Sequence, residues 1–149
     1  MRKKLFCVVI PAFNEEKVLE SSLLALKKVI SEKDIFVVSD GSTDNTVPLA
    51  YSASVNVLAL QENFGKAKAL EHLIRSFDLT LHYKYILFSD ADSRLCNNFM
   101  KEISVLIKKK PACIVGNVTS DRRGLISAFR SYEYGLSHFV YKKAQDVMK

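Results

Sequence analysis

LFCVVIPAFNEE, residues 5–16, is an apolar run that breaks at a proline and ends in two carboxylates. Leu5–Ile10 shows no apolar–polar alternation and is rich in β-branched residues, the pattern of a strand covered on both faces. Such a strand belongs in a sheet with helices packed above and below it. Beyond the break, Asn14 can cap a helix whose first turn holds Glu15 and Glu16, where negative charge is favoured. Leu19, Leu23, Leu26 and Ile30 then recur at helical spacing, with Val18 and Val29 widening the stripe.

The alternation continues along the chain. Asp34–Ser39 (DIFVVS) reads as a second strand and Asp40–Asp44 as a turn. A short helix follows to about Ser52, with Pro48 in its first turn, where a missing N–H is tolerated. Val55–Leu60 is a third strand, Gly65–Phe77 a helix and Tyr85–Ser89 a fourth strand. Asn97–Lys109 is a helix stopped by Pro111, and Ala112–Val118 a fifth strand. From about Leu125 to Met148 a long helical pattern carries Phe129, Tyr132, Tyr134, Phe139 and Tyr141. Repeated β–α–β units of this size predict a three-layer α/β/α fold with a mainly parallel sheet. The expected organisation is one domain over 1–149, with its core in 1–120 and an aromatic helix in 121–149.

The 149 residues are 48% hydrophobic and 26% charged, an ordinary globular composition. No apolar run approaches the ~20 residues that span a bilayer. The basic start Met1–Lys4 and the apolar run to Ile10 are too short for a signal peptide, so the cytoplasm is the expected location. Cys7, Cys96 and Cys113 lack the spacing of a zinc site or a disulfide framework and read as structural. His72, His82 and His138 stand apart from any nucleophile pattern and read as structural or surface residues. A net charge of +6 suits an anionic partner without choosing one. The densest basic cluster, Lys108–Lys110, reads as a solvated helix end.

Chemistry concentrates where strands end, because ligands of open α/β sheets bind outside the carboxyl ends of the strands. Three polar clusters fall there: Pro11–Glu15, Asp40–Asp44 and Asp90-Ala91-Asp92. Asp90 and Asp92, one residue apart after YILFS, are two carboxylates that call for a cationic partner. Hard divalent cations, Mn2+ or Mg2+, take one or two such carboxylates together with substrate phosphates. Lys66, in NFGKAKAL, starts a helix, where free N–H groups and a lysine make an anion site. The chain has neither GxxxxGK[ST] nor GxGxxG, so the P-loop and the dinucleotide fingerprint are both missing.

VVIPAFNEE (8–16), VVSDGSTDNT (37–46), NFGKAKAL (63–70) and FSDADS (88–93) together resemble family 2 glycosyltransferases of the GT-A fold, in family order and at family-like intervals. The resemblance implies a nucleotide pocket lined by Pro11, Ala12, Phe13 and Glu15, with Asp40 hydrogen-bonding the uracil ring and Lys66 near the base or phosphates. Asp90, with Ala91, would contact the ribose and sugar-diphosphate, while Asp92 would coordinate Mn2+ or Mg2+. Gly116–Val118 and FRSYEYGLSHFVYKKAQ (129–145) look like the subgroup that builds β-linked polysaccharides. That subgroup implies inverting transfer from a UDP-sugar, with UDP-N-acetylglucosamine the first candidate, to a saccharide or lipid-linked acceptor. It also implies peripheral association with the inner face of the membrane and no nucleic-acid partner. The family's acceptor half, with its carboxylate base in an ED or TED motif, has no counterpart before Lys149. The chain is therefore expected to be a donor-binding part of a larger enzyme or, alternatively, a non-catalytic nucleotide-sugar-binding fragment or partner subunit. An unrelated α/β domain with acyl-phosphate chemistry at Asp90 or Asp40 would not explain four motifs in order.

Overall fold

A computed structural model describes residues 3–96 and 98–109, together with Pro111 and Ile114. The chain divides into two units, Met1–Glu102 and Ile103–Lys149, and the architecture below is that of the first. Its strands are β1 (Lys4–Ala12), β2 (Ile35–Asp40), β3 (Asn56–Leu60) and β4 (Tyr83–Phe88). Between them lie α1 (Leu19–Lys27), a 3-10 turn (Glu32–Asp34), α2 (Thr46–Ser52), α3 (Lys66–Ser76) and the short α4 (Leu79–His82). A further helix, α5, spans Phe99–Lys108. The fifth strand expected over Ala112–Val118 and the aromatic helix after Leu125 lie outside the described residues, as do Cys113 and His138.

All pairings among the described strands are parallel, in the order β3-β2-β1-β4. Side chains alternate across a strand, so β1 sends Val8, Ile10 and Ala12 to one face and Cys7 and Val9 to the other. The first face is covered by Leu19, Leu23 and Leu26 of α1 and Ala50 of α2. The second is covered by Ala69 and Leu73 of α3, with Leu79 of α4 and Tyr83. These two cores make the three α/β/α layers that the unpatterned run Leu5–Ile10 predicts.

Pro11 extends β1 past the expected end and pairs with Val38 of β2. The Ser89 N–H donates to the Val9 carbonyl, so Val9 faces β4, and Pro11, two residues on, faces the same way. Pairing with β4 ends at Val9↔Phe88, so the proline lacks its N–H where no ladder bond is required. A proline is therefore tolerated in this central strand without the loss of a ladder bond.

Three local expectations change. Asn14 does not cap α1: the helix starts at Leu19 after Val18, which makes no side-chain cap. Glu15 and Glu16 consequently precede the helix, and the Glu15 carbonyl accepts the N–H groups of Val18 and Leu19 in a turn leading into it. Asp40 is the last residue of β2 rather than the first of a turn. Cys96 is exposed, whereas Cys7 is fully buried and its thiol is pushed up to about 12, first by burial and then by Asp34. Such a thiol is inert at neutral pH. No helix among the described residues is long and apolar enough to cross a membrane.

Candidate functional site at the carboxyl edge of the sheet

From β1 the chain moves outward to β2 and β3, then returns over the opposite face through α3 to reach β4 on the other side of β1. Strand order thus reverses between β1 and β4, the position at which α/β sheets open a ligand crevice. Pro11, two residues past the last β1–β4 pair, stands at that position. The segments Pro11–Glu15 and Asp90–Asp92 lie at the carboxyl ends of β1 and β4, the two strands that flank that position. Pro11 is half-buried, Ala12 and Ala91 are buried, and Phe13, Asp90 and Asp92 are exposed. A turn in which the Ser93 N–H donates to the Asp90 carbonyl holds the acidic loop.

Glu15 reports the field at this edge. Its carboxyl is raised above the usual 4.5, first by desolvation and then by Asp92, Asp44 and Asp90. Carboxylates from the ends of β2 and β4 therefore lie close enough to act on Glu15 at the end of β1. The linkage has a definite sign. A carboxyl raised in the folded state favours folding when protonated, and that contribution is lost as pH rises through its folded value. Glu15→Gln is therefore expected to stabilise the chain near pH 7, with the gain vanishing below the ordinary glutamate range. Thermal unfolding of both proteins across pH tests this; a gain that persists in acid would contradict it.

The loops after β1 and β2 are clasped together. The Asn14 N–H donates to Ser42 Oγ (3.1 Å), and Asn14 Oδ1 accepts the Thr43 N–H (2.9 Å). Next in line, the Glu15 N–H donates to Thr46 Oγ1 (2.8 Å) and the Glu16 N–H to Asp44 Oδ2 (3.1 Å). Glu16 Oε2 in return accepts the Asn45 N–H (3.1 Å), and Asp44 Oδ1 accepts the Thr46 N–H (2.9 Å). Desolvation is the largest single influence and raises the Asp44 carboxyl, but hydrogen bonds from Thr46, from the Glu16 N–H and from its own backbone together outweigh it and hold it below the usual range.

Asn14 makes this clasp at φ 55°, a left-handed conformation that asparagine tolerates better than most residues. Asn14→Ala loses both the acceptor and that tolerance, for an expected cost of about 2 kcal/mol. Asn14→Gly relieves the backbone and should cost about half as much. Urea unfolding distinguishes them, and equal losses would show that the conformation is unstrained.

Asp40 is buried, and both its oxygens are engaged: Oδ1 accepts the Phe64 N–H and Oδ2 the Gly65 N–H, each at 2.8 Å. It thereby ties the loop after β3 to the end of β2 and fixes the start of α3. Lys66, the first residue of α3, reaches Asp90 Oδ1 at 2.5 Å. The structure thus brings Lys66, Asp90, Asp92 and Glu15 to one edge and gives Asp40 a bracing role there. The clasp residues Asn14, Glu16, Asp44 and Thr46 carry no sequence signal for this role. Their partners are 28 to 31 positions away, and their residue types read equally well as turn chemistry.

Among the described residues no group of three or more His, Cys, Asp or Glu could hold a metal ion alone. Asp90 and Asp92 are exposed hard-oxygen donors in a negative field. That set suits a divalent cation which completes its shell with phosphate oxygens and water.

The family model for glycosyl transferase family 2 matches residues 7–148. A poly-β-1,6-N-acetyl-D-glucosamine synthase of Staphylococcus aureus is 37% identical over 92 residues, covering 57% of this chain and 21% of that protein. An uncharacterized protein of Methanocaldococcus jannaschii is 44% identical over 91 residues, covering 56% of this chain and 38% of its own length. The chain therefore spans well under half the length of these relatives. Among solved structures, S. aureus TarS 1–349 superimposes with a TM-score of 0.60 at 20% identity, covering 78% of this chain and 40% of that one. The same protein in complex with UDP superimposes with a TM-score of 0.57, at 80% and 40% coverage.

Proposed function

This chain belongs to glycosyl transferase family 2, and we propose that its first unit is the donor site of an inverting transferase that uses a UDP-sugar. One observation carries the reading: at the sheet edge where strand order reverses, Lys66 pairs with Asp90 while the charges of Asp92 and Asp90 act on Glu15. The UDP complex of TarS, which shares the fold, supports the choice of nucleotide. The likeness to a poly-β-1,6-N-acetyl-D-glucosamine synthase supports N-acetylglucosamine as the sugar and a saccharide as the acceptor.

The residues divide the work. Pro11, Ala12, Phe13 and Glu15 form the wall against which the nucleoside lies. Each Asp40 oxygen already accepts one backbone N–H and keeps a lone pair, so the carboxylate presents a fixed acceptor to the uracil N–H. Lys66 and the free N–H groups at the start of α3 attract the diphosphate. Asp90 and Ala91 border the ribose and sugar, and Asp92 would hold Mn2+ or Mg2+. When bound, that cation offsets the charge of the departing diphosphate. Transfer also needs a base for the acceptor hydroxyl, and none is assigned among the described residues.

Calorimetric titration with UDP, with and without Mn2+, tests the reading. Binding that requires the cation is expected; no binding under either condition would remove the assignment. Competition by GDP and dTDP against UDP, and by UDP-glucose against UDP-N-acetylglucosamine, reads the base and the sugar preference.

A further inference from the structure

Lys66 and Asp90 form an ion pair in which the side chains are 62% and 59% exposed. Exposed pairs contribute little to stability, because each charge is also solvated. The pair is not needed to place its two elements: α3 is anchored through Ala69 and Leu73, and β4 through its ladder with β1. Its effect is electrostatic. It neutralises one carboxylate of a cluster whose mutual repulsion already acts on Glu15. It also engages a lysine placed where an anion would bind, on a four-carbon stem that lets the ammonium group change partners.

We propose that Lys66 is an exchangeable counter-ion of Asp90 that couples cation binding to diphosphate binding, a positioning role that rests on the donor-site reading above. Without nucleotide, a cation arriving at Asp90 and Asp92 competes with the ammonium group. A diphosphate offers Lys66 another anionic partner, and the transfer of Lys66 frees Asp90 to face the cation. Each ligand thereby improves the site of the other, and linkage makes the effect reciprocal.

The test uses the full chain. Free Mn2+ is followed by electron paramagnetic resonance with and without UDP, and UDP binding by calorimetry, for wild type, Lys66→Met and Lys66→Arg. In Lys66→Met, Mn2+ alone should bind about fivefold tighter, while UDP with Mn2+ binds about tenfold weaker, effects in the usual range of coupling between sites. Lys66→Arg should restore both toward wild type. The opposite signs separate exchange from simple phosphate binding: weaker UDP binding with unchanged Mn2+ affinity would overturn the proposal and leave the donor site standing. Unchanged behaviour in both titrations would do the same. Wild-type protein that binds no UDP at all would overturn both.

Discussion

Asp92→Ala is expected to abolish the metal dependence of UDP binding while leaving the fold intact. Asp92 is exposed, follows the buried Ala91 and, among the described residues, makes no hydrogen bond that helps close the sheet. Surface substitutions of this kind change stability by about 0.5 kcal/mol or less. Its role in the proposed site is a different matter. Outer-shell partners of a metal are worth about 10–100-fold in affinity, so a direct carboxylate ligand should be worth at least about 100-fold. The expected result is Mn2+ affinity reduced by about that factor, residual UDP binding indifferent to Mn2+, and an unchanged melting temperature. A variant that still bound UDP in a Mn2+-dependent way would place the cation elsewhere.

Gly41→Ala is expected to have the largest effect on stability. Gly41 follows the last residue of β2 at φ +72°, and a Cβ there would lie 2.7 Å from the Glu62 carbonyl carbon and 2.8 Å from the Asn63 nitrogen. Both are backbone atoms, in the loop that Asp40 ties down through Phe64 and Gly65. Neither that loop nor the end of the strand can yield cheaply. Left-handed strain of about 1–2 kcal/mol and overpacking of about 1–3 kcal/mol give a loss of roughly 2–5 kcal/mol. For a domain of this size the midpoint should fall by on the order of 10 °C or more. Gly65→Ala is the control. Nothing lies within 4 Å of the added carbon, but φ +83° with ψ 151° is a backbone region essentially reserved for glycine, so strain alone, about 1–3 kcal/mol, should appear. A Gly41→Ala loss of no more than about 2 kcal/mol, the left-handed strain alone, would mean that the close approach to Glu62 and Asn63 costs nothing. Because Asp40 and Gly41 together set where α3 begins, Gly41→Ala should also weaken UDP binding through a displaced Lys66.

Much of the architecture was legible because burial leaves a pattern in the chain. Val8 and Ile10 meet one core and Cys7 and Val9 the other, so a strand covered on both faces had to be apolar throughout. Strand ends were legible to within two residues, since β1 runs past Ile10 to Ala12. α4 and the 3-10 turn were not foreseen, because four- and three-residue elements carry too little periodicity. The gathering of acidic residues at one edge of the sheet was also legible. Carboxylates clustered after apolar strands are conspicuous, and a parallel sheet sends every such end to one edge.

The sequence by itself determined the α/β class, the two-faced sheet, the edge at which the acidic clusters gather and the membership in a family. Those properties depend on short-range patterns of residue type, which a linear chain displays directly. Only the tertiary structure decided that Asn14 reaches Thr43 instead of capping α1, that Asp40 braces Phe64 and Gly65, and that Lys66 pairs with Asp90. These contacts join positions 24 to 29 residues apart. A polar side chain can find its partner equally well in its own turn or across the fold, and the packing of both helical layers on the sheet settles which of the two it meets.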